Sequence, residues 1–204
     1  MFLVAINKYL RENKWFSNAG IEEPNLINYL DLVSLGTVCD VVPLTGLNRA
    51  IVKQGLKILK SRKNLGLKTL LDICGIQNSL EVYHVGYILG PRINAGGRVG
   101  KSSHGANLLL NKDPKDAFKI ASDLDQFNKE RQLLEKNVFN QILQEIEKNL
   151  SEPIIIISGY NWHEGVIGIV AARIKEKLNK PVIIISIEKN IGKGSARSIV
   201  GFAI

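Results

Sequence analysis

The 204-residue chain is 45% hydrophobic and 23% charged, with 27 basic residues against 19 acidic and a net charge of +8. Those proportions exclude a wholly disordered chain, a collagen-like one and a disulfide-stapled mini-protein; the length suits one good-sized domain or two small ones. The charge is uneven: residues 1–48 carry −2, 49–101 carry +8, 102–150 carry −1 and 151–204 carry +3. A focused basic segment attracts polyanions, nucleic acid foremost, and a solvated lysine-rich surface is the plain alternative. Cys39 and Cys74 lie in apolar surroundings without CxxC spacing and read as buried free thiols in a reducing cytoplasm. The opening MFLVAINKYLRENKW is too briefly apolar for a signal peptide or a membrane span. The chain therefore reads as cytoplasmic, with no membrane partner.

In chain order, Phe2, Leu3, Ile6 and Leu10 predict an amphipathic helix over 2–13, and its abrupt start suggests a truncated domain. Residues 17–26 read as a loop. Leu26 to Leu35 is helical in pattern; Gly36 is expected to break it, leaving a short apolar run from Val38 to Val42. Helices are predicted over 48–61, with Ile51, Leu56 and Leu59 inward, over 67–74 and over 82–89. Asp113, Pro114 and Asp116 make a strong helix start. The apolar pattern then continues without Gly or Pro to Pro153. Some thirty-five residues would span roughly 50 Å, the length of a helix that connects domains. Beyond it, Ile154–Ile157 and Val182–Ile187 flank a small-residue helix over 164–178, the signature of a βαβ unit with parallel strands. A sheet of two or three strands is too small to stand alone, and both ends of the chain look cut.

Four segments could carry chemistry. In LGTVCDVVPL, Asp40 is a lone carboxylate in an apolar run: either a turn or capping residue, or one that needs a partner or a metal. Asp31, the nearby competitor, falls near the surface on the helical pattern. GPRINAGGR, from Gly90 to Arg98, reads as a glycine-rich loop in which Arg92, Asn94 and Arg98 could grip phosphate, or else as a tight structural turn. In NWHEGVIGIVAARIKEKL, position 167 is isoleucine, so HExxH fails. His163 and Glu164 fall instead at a strand-to-helix turn whose N–H groups can face an anion. GKGSARS, from Gly192 to Ser198, lacks P-loop spacing; it suits a terminal or backbone phosphate, or a flexible hairpin tip. The histidines at 84, 104 and 163 are isolated from one another and from carboxylate clusters, so no two-metal cluster is visible.

Taken in order, LDLVSLGTVCDVVPLTGLNRAIVKQGL, GPRINAGGR, LDQFNKERQ, NWHEGVIGIVAARIKEKLNKPVIIIS and GKGSARSIVGF closely resemble the bacterial RecJ single-stranded-DNA exonucleases of the DHH phosphoesterase superfamily. The resemblance is collinear over nearly the whole chain. It implies an α/β fold in three parts: the C-terminal part of a DHH catalytic domain (1–112), a connecting helix (113–150) and the start of a DHH-associated substrate-binding domain (151–204). It implies 5′-to-3′ hydrolysis of single-stranded DNA with Mn²⁺ or Mg²⁺, in repair and recombination. Asp40 would then be a metal-ligand aspartate, with Arg92 and Asn94 lining the catalytic cleft near the scissile phosphate. Arg98 and His163 would face the bound strand, and Ser195 and Arg197 would hold the DNA 5′-phosphate.

Three departures qualify the resemblance. The family's DHH motif and the aspartate motifs ahead of it are absent, as is its OB-type domain, and Gly96 stands where alanine is commoner. One aspartate cannot clamp the attacking and leaving oxygens of a metal-assisted displacement. The expectation is an incomplete, inactive fragment of an exonuclease, with a separate polypeptide carrying the missing motifs as a possible partner. The alternatives are a non-catalytic nucleic-acid-binding module and a different DHH enzyme acting on short oligonucleotides or cyclic dinucleotides.

Overall fold

The computed structural model describes residues 2–77, 79–146 and 152–202. It comprises two compact units, Met1–Gly90 and Pro91–Ile204. The first is helical: α1 (Phe2–Glu12), α2 (Trp15–Ala19), a 3₁₀ turn (Leu26–Tyr29), α3 (Leu30–Cys39), α4 (Gly46–Lys60), α5 (Leu65–Ile73) and a π-helical segment (His84–Leu89). Its core is built from Leu35, Val52, Leu59, Leu67, Leu70 and Val85, all buried. Val52, Gly55 and Leu59 are buried on α4; Leu59 is inward as expected, while Ile51 and Leu56 are half-buried at the margins of that face. Helix α1 forms as its spacing predicts, yet its one buried residue is Asn7, and Phe2 and Leu3 are largely exposed. Polar contacts tie it down: Asn7 Nδ2 donates to Glu23 Oε1 at 2.6 Å, and Arg11 pairs with the same carboxylate.

Three expectations in this unit are corrected. Trp15–Ala19 is helical, so the loop begins later than residue 17. Gly36 does not break α3, which continues to Cys39 and stops where Val41 adopts a left-handed backbone at φ 55°. Gly36 lies at the surface with open space beside it, so the helix bears only its entropic cost of about 1 kcal/mol. The buried side of α3 carries Asp31, Ser34 and Leu35. Asp31 is therefore buried, against expectation, and Asp40 is the exposed carboxylate at the end of α3. Burial pushes the Asp31 carboxyl pKa up, opposed by the backbone N–H of Leu32, which donates to Oδ1 at 2.8 Å. Neither Cys39 nor Cys74 is in a disulfide, and both are half-buried rather than fully enclosed.

The second unit holds α6 (Gly90–Val99), α7 (His104–Leu110), α8 (Pro114–Ile146), β1 (Ile155–Tyr160), α9 (Glu164–Leu178), β2 (Val182–Glu188) and β3 (Ile191–Arg197). GPRINAGGR is thus a helix rather than a loop. None of its glycines has positive φ; Gly90 and Gly96 admit close neighbours, whereas Gly97 stands in open space. A Cβ on Gly96 would meet the Lys101 carbonyl oxygen at 2.9 Å and Leu124 at 3.2 Å, and neighbouring Ala95 is fully buried. Asp113 caps α8 as expected: Oδ1 accepts from the N–H groups of Lys115 and Asp116, both at 2.9 Å. The helix is followed for 33 residues, and 147–150 of the expected span lie outside the described residues.

The sheet order is β1-β2-β3. β1 and β2 pair in parallel around the α9 crossover, as the βαβ pattern predicts. β3 returns antiparallel through a two-residue turn, Lys189-Asn190, with both residues at positive φ. That is the backbone a tight hairpin requires. GKGSARS is accordingly a strand, not a loop or hairpin tip. Gly192 and Gly194 disguise it, because glycine lacks strand propensity. Val138, Ile142 and Ile146 of α8 share one core with Ile155 and Ile157 of β1, Val182 and Ile184 of β2, and Val166 and Val170 of α9.

Two glycine substitutions in the first unit test this packing. A Cβ on Gly55 would stand 1.7 Å from Ser34 Oγ and 2.2 Å from the Leu30 carbonyl oxygen, whereas one on Gly36 meets nothing within 4 Å. Gly55→Ala should destabilise the chain by about 1–3 kcal/mol, and Gly36→Ala should stabilise it by about 0.5–1 kcal/mol. Urea unfolding of both variants checks the pair.

Candidate phosphate-binding site

The first two turns of α9 are the meeting point of the second unit. His163 caps the helix: its Nδ1 accepts from the Gly165 N–H at 3.1 Å. The Gly165 N–H is therefore already satisfied and does not stand open to an anion, which corrects part of the expectation for this turn. On one side, α6 comes so close that a Cβ on Gly165 would lie 2.4 Å from the Arg98 carbonyl oxygen. The Arg98 Nη1 donates in turn to the Gly165 carbonyl at 3.1 Å. On the other side lies β3, where Ser195 and Arg197 pair with Ile184 and Val182 and so share the α9-facing side of the sheet. A Cβ on Gly168 would come within 3.0 Å of Ser195 Oγ and 3.1 Å of Arg197 Nη2. The Arg197 Nη1 donates to Ser195 Oγ at 3.2 Å and to the Ala196 carbonyl at 2.7 Å, leaving an exposed guanidinium on a fixed base.

Four of the residues singled out in the sequence, Arg98, His163, Ser195 and Arg197, thus surround one glycine-lined helix start. A guanidinium, a hydroxyl and an imidazole beside a helix N-terminus form a donor set suited to phosphate. Beside them Lys193, two residues before Ser195, pairs with Glu164. The hydrogen bond and charge of Lys193 hold the Glu164 carboxyl below its ordinary range, and Glu164 raises the Lys193 ammonium in return. An adjoining cleft of about 530 Å³ has Trp162, His163, Glu164 and Lys193 in its lining.

Arg92 and Asn94 fall elsewhere in this unit. Asn94 is exposed on α6. The Arg92 Nε donates to Asp125 Oδ1 at 2.8 Å, and Lys129 reaches the other oxygen at 2.7 Å. Burial alone would raise the Asp125 carboxyl, but the hydrogen bonds and charges of Lys129 and Arg92 outweigh it and lower the pKa.

Comparison with known proteins shows what the chain as a whole is similar to. Residues 151–204 match the DHHA1 domain. The single-stranded-DNA-specific exonuclease RecJ of Dickeya dadantii is 40% identical over 207 residues, covering 98% of this chain and 36% of that protein. The Escherichia coli RecJ exonuclease is 38% identical over the same shares. The crystal structure of Thermus thermophilus RecJ in complex with Mn²⁺ superposes with a TM-score of 0.79 at 32% identity, over 92% of this chain and 28% of that one. The chain is a partial RecJ-like region. It spans little more than a third of the length of the curated relatives it matches most fully.

The metals of the RecJ crystal structures, Mn²⁺ and Mg²⁺, set a test for this RecJ-like region. Among the described residues, no group of three or more His, Cys, Asp or Glu side chains is placed to hold a metal ion. Asp40 is an exposed carboxylate in the first unit, and the described residues around it do not complete a metal site. No helix among them is long and apolar enough to cross a membrane.

Sequence reasoning missed a polar cluster inside the LDQFNKERQ segment and just beyond it. Asn128 and Glu135 are buried on α8. The Arg131 Nη2 donates to Asn128 Oδ1 at 3.1 Å, and its Nη1 to Glu135 Oε2 at 2.7 Å. Arg173 of α9 donates to Glu135 Oε1 at 2.7 Å and lies over the Phe139 ring, 4.3 Å from its centre. The i, i+3, i+7 spacing of Asn128, Arg131 and Glu135 was the available signal. His104, expected to be isolated, lies 3.8 Å from the Asp123 carboxylate and edge-on to Phe127.

The two α9 glycines separate stability from site geometry. Gly165→Ala meets backbone and should cost about 1–3 kcal/mol. Gly168→Ala meets only the ends of two side chains, so it should leave the unfolding midpoint nearly unchanged while displacing Ser195 and Arg197. Thermal unfolding checks the first effect, and affinity for a 5′-phosphorylated oligonucleotide, expected to fall severalfold in Gly168→Ala, checks the second.

Proposed function

We propose that the chain is the strand-holding portion of a RecJ-type single-stranded-DNA exonuclease, engaging the 5′ end of the substrate through its second unit. The gathering of Arg98, His163, Ser195 and Arg197 around the first two turns of α9 carries this reading. Ser195 and Arg197 hold the terminal phosphate, which selects a 5′ end by its extra charge and oxygens. Arg98 and His163 flank the same helix start. The +8 segment over residues 49–101 draws in the polyanion. Functionally, residues 1–112 belong to the catalytic DHH part, 113–150 to the connecting helix and 151–204 to the associated domain.

Arg92 and Asn94 contribute to the cleft near the scissile phosphate, and Asp40 offers one carboxylate toward Mn²⁺ or Mg²⁺. The donor set of the described residues does not fit a metal on its own, so no hydrolytic step is assigned to them. A second polypeptide carrying the DHH motifs would supply the remaining ligands. Without one, the chain acts as a nucleic-acid-binding module of RecJ descent, the second reading that the same donor set supports.

Two measurements test the reading. Arg197→Ala should weaken binding of 5′-phosphorylated single strands by about tenfold, the loss expected for a charge-assisted contact, with a much smaller effect on 5′-hydroxyl strands. Equal losses on both remove the end-recognition role. Incubated alone with 5′-phosphorylated single-stranded DNA and Mn²⁺, the folded chain should release no mononucleotides. Release that disappears in Asp40→Asn would show that the chain builds a working metal site by itself.

A further inference from the structure

The π-helical segment of the first unit presents a feature that phosphate recognition does not use. Tyr83 and Tyr87 stand four residues apart on the same face, 58% and 74% exposed. Their rings are stacked, with centroids 5.2 Å apart and planes 22° from parallel. His84 closes the start of the segment: its Nδ1 accepts from the Glu81 N–H at 3.1 Å, and its ring lies edge-on to Tyr83. The opposite side of the segment is pinned to the end of α3. A Cβ on Gly86 would meet Val38 at 3.2 Å, one on Gly90 would meet Cys39 Sγ at 2.4 Å, and Val85 is fully buried. Two large aromatic faces are therefore held open to solvent on a rigid base, one helix away from Asp40. A six-residue π-helical stretch is itself rare and recurs at functional sites.

We propose that Tyr83 and Tyr87 form a stacking platform for the bases of a single-stranded nucleic acid. This rests on the reading that the chain binds single strands. The chemistry fits that occupant in two ways. Exposed aromatic rings accept any base by its π-face, which is how single strands are held without sequence preference. The platform also belongs to the same unit as residues 49–90, which carry seven basic residues against two acidic, a net +5 that favours a polyanion. An apolar protein partner would gain nothing from that charge. A duplex would hide its base faces from the rings, so the platform selects unpaired strands.

The test compares two 5′-phosphorylated strands of equal length and phosphate number, labelled at the 3′ end: one of thymidines, one of abasic units. The chain should bind the thymidine strand about tenfold more tightly, within the range of aromatic stacking. The double variant Tyr83→Ala, Tyr87→Ala should lose that preference and bind the abasic strand as the original chain does. Tyr83→Phe, Tyr87→Phe should retain the preference, since it keeps the rings. A preference that survives the alanine variant overturns the platform while leaving the phosphate site standing. So does an alanine variant that weakens both strands equally, or one that converts a dimer to a monomer in sedimentation with the preference intact. If the original chain binds neither strand, the reading as a strand-holding region fails, and the platform fails with it.

Discussion

The candidate site of the second unit depends on two missing side chains. Gly165 lets the first turn of α9 approach the carbonyl of Arg98 more closely than a Cβ permits, and Gly168 lets the next turn lie tightly against the side chains of Ser195 and Arg197. Helix interiors resist glycine by about 1 kcal/mol each, so two within one turn is a local loss of stability. What offsets it is the core beneath: Val166, Ile167, Val170 and Ala171 of the same helix are all buried. One face of α9 supplies burial and the other supplies proximity, and the polar donors of α6 and β3 are gathered as a consequence. The β2–β3 register sets the side of β3 that faces α9, and on it Lys193 pairs with Glu164 at the helix start.

The polar cluster at Asn128, Arg131, Glu135 and Arg173 plays a comparable part between α8 and α9. A buried carboxylate shared by two arginines is tolerated only when every partner is present; removing one leaves an uncompensated charge. Directional contacts of this kind fix how α9 lies along α8 in a way that apolar packing alone does not. Orientation matters here, since a rotation of α9 about its axis would carry Gly165 and Gly168 away from the donors they admit.

Much of this is legible in the amino-acid sequence. Asp113-Pro114 marks the start of α8 because capping chemistry is local, and the β-branched runs around Pro153 and Pro181 mark β1 and β2. The failures share a physical origin. Sequence pattern treats glycine as punctuation at Gly36, in GPRINAGGR and in GKGSARS, whereas in all three it is a device for close packing or a tolerated surface residue. The distinction depends on neighbours distant in sequence, such as Leu124 beside Gly96 or Ile185 beside Gly192. Asp31 is buried because it shares the inward face of α3 with Ser34 and Leu35, and Asp40 is exposed at the end of that helix. Of the site, the four residues around α9 are visible as residue types, but the shared face of Ser195 and Arg197 needs β3 to be a strand, which Gly192 and Gly194 disguise. The Arg92–Asp125 pair and the Tyr83–Tyr87 stack are not legible, because each needs a helix where sequence pattern suggests a loop or leaves the helix face unspecified.

The central claim is that a terminal phosphate seats at the start of α9. It is tested most directly by NMR titration of the chain with a short 5′-phosphorylated single strand, set against the same strand with a 5′-hydroxyl. The account predicts saturable amide shifts concentrated at Gly165, Gly168, Ser195 and Arg197, present with the phosphorylated strand and largely absent with the other. Shifts of equal size with both strands, or spread over the lysines of α4 with none at α9, would contradict it.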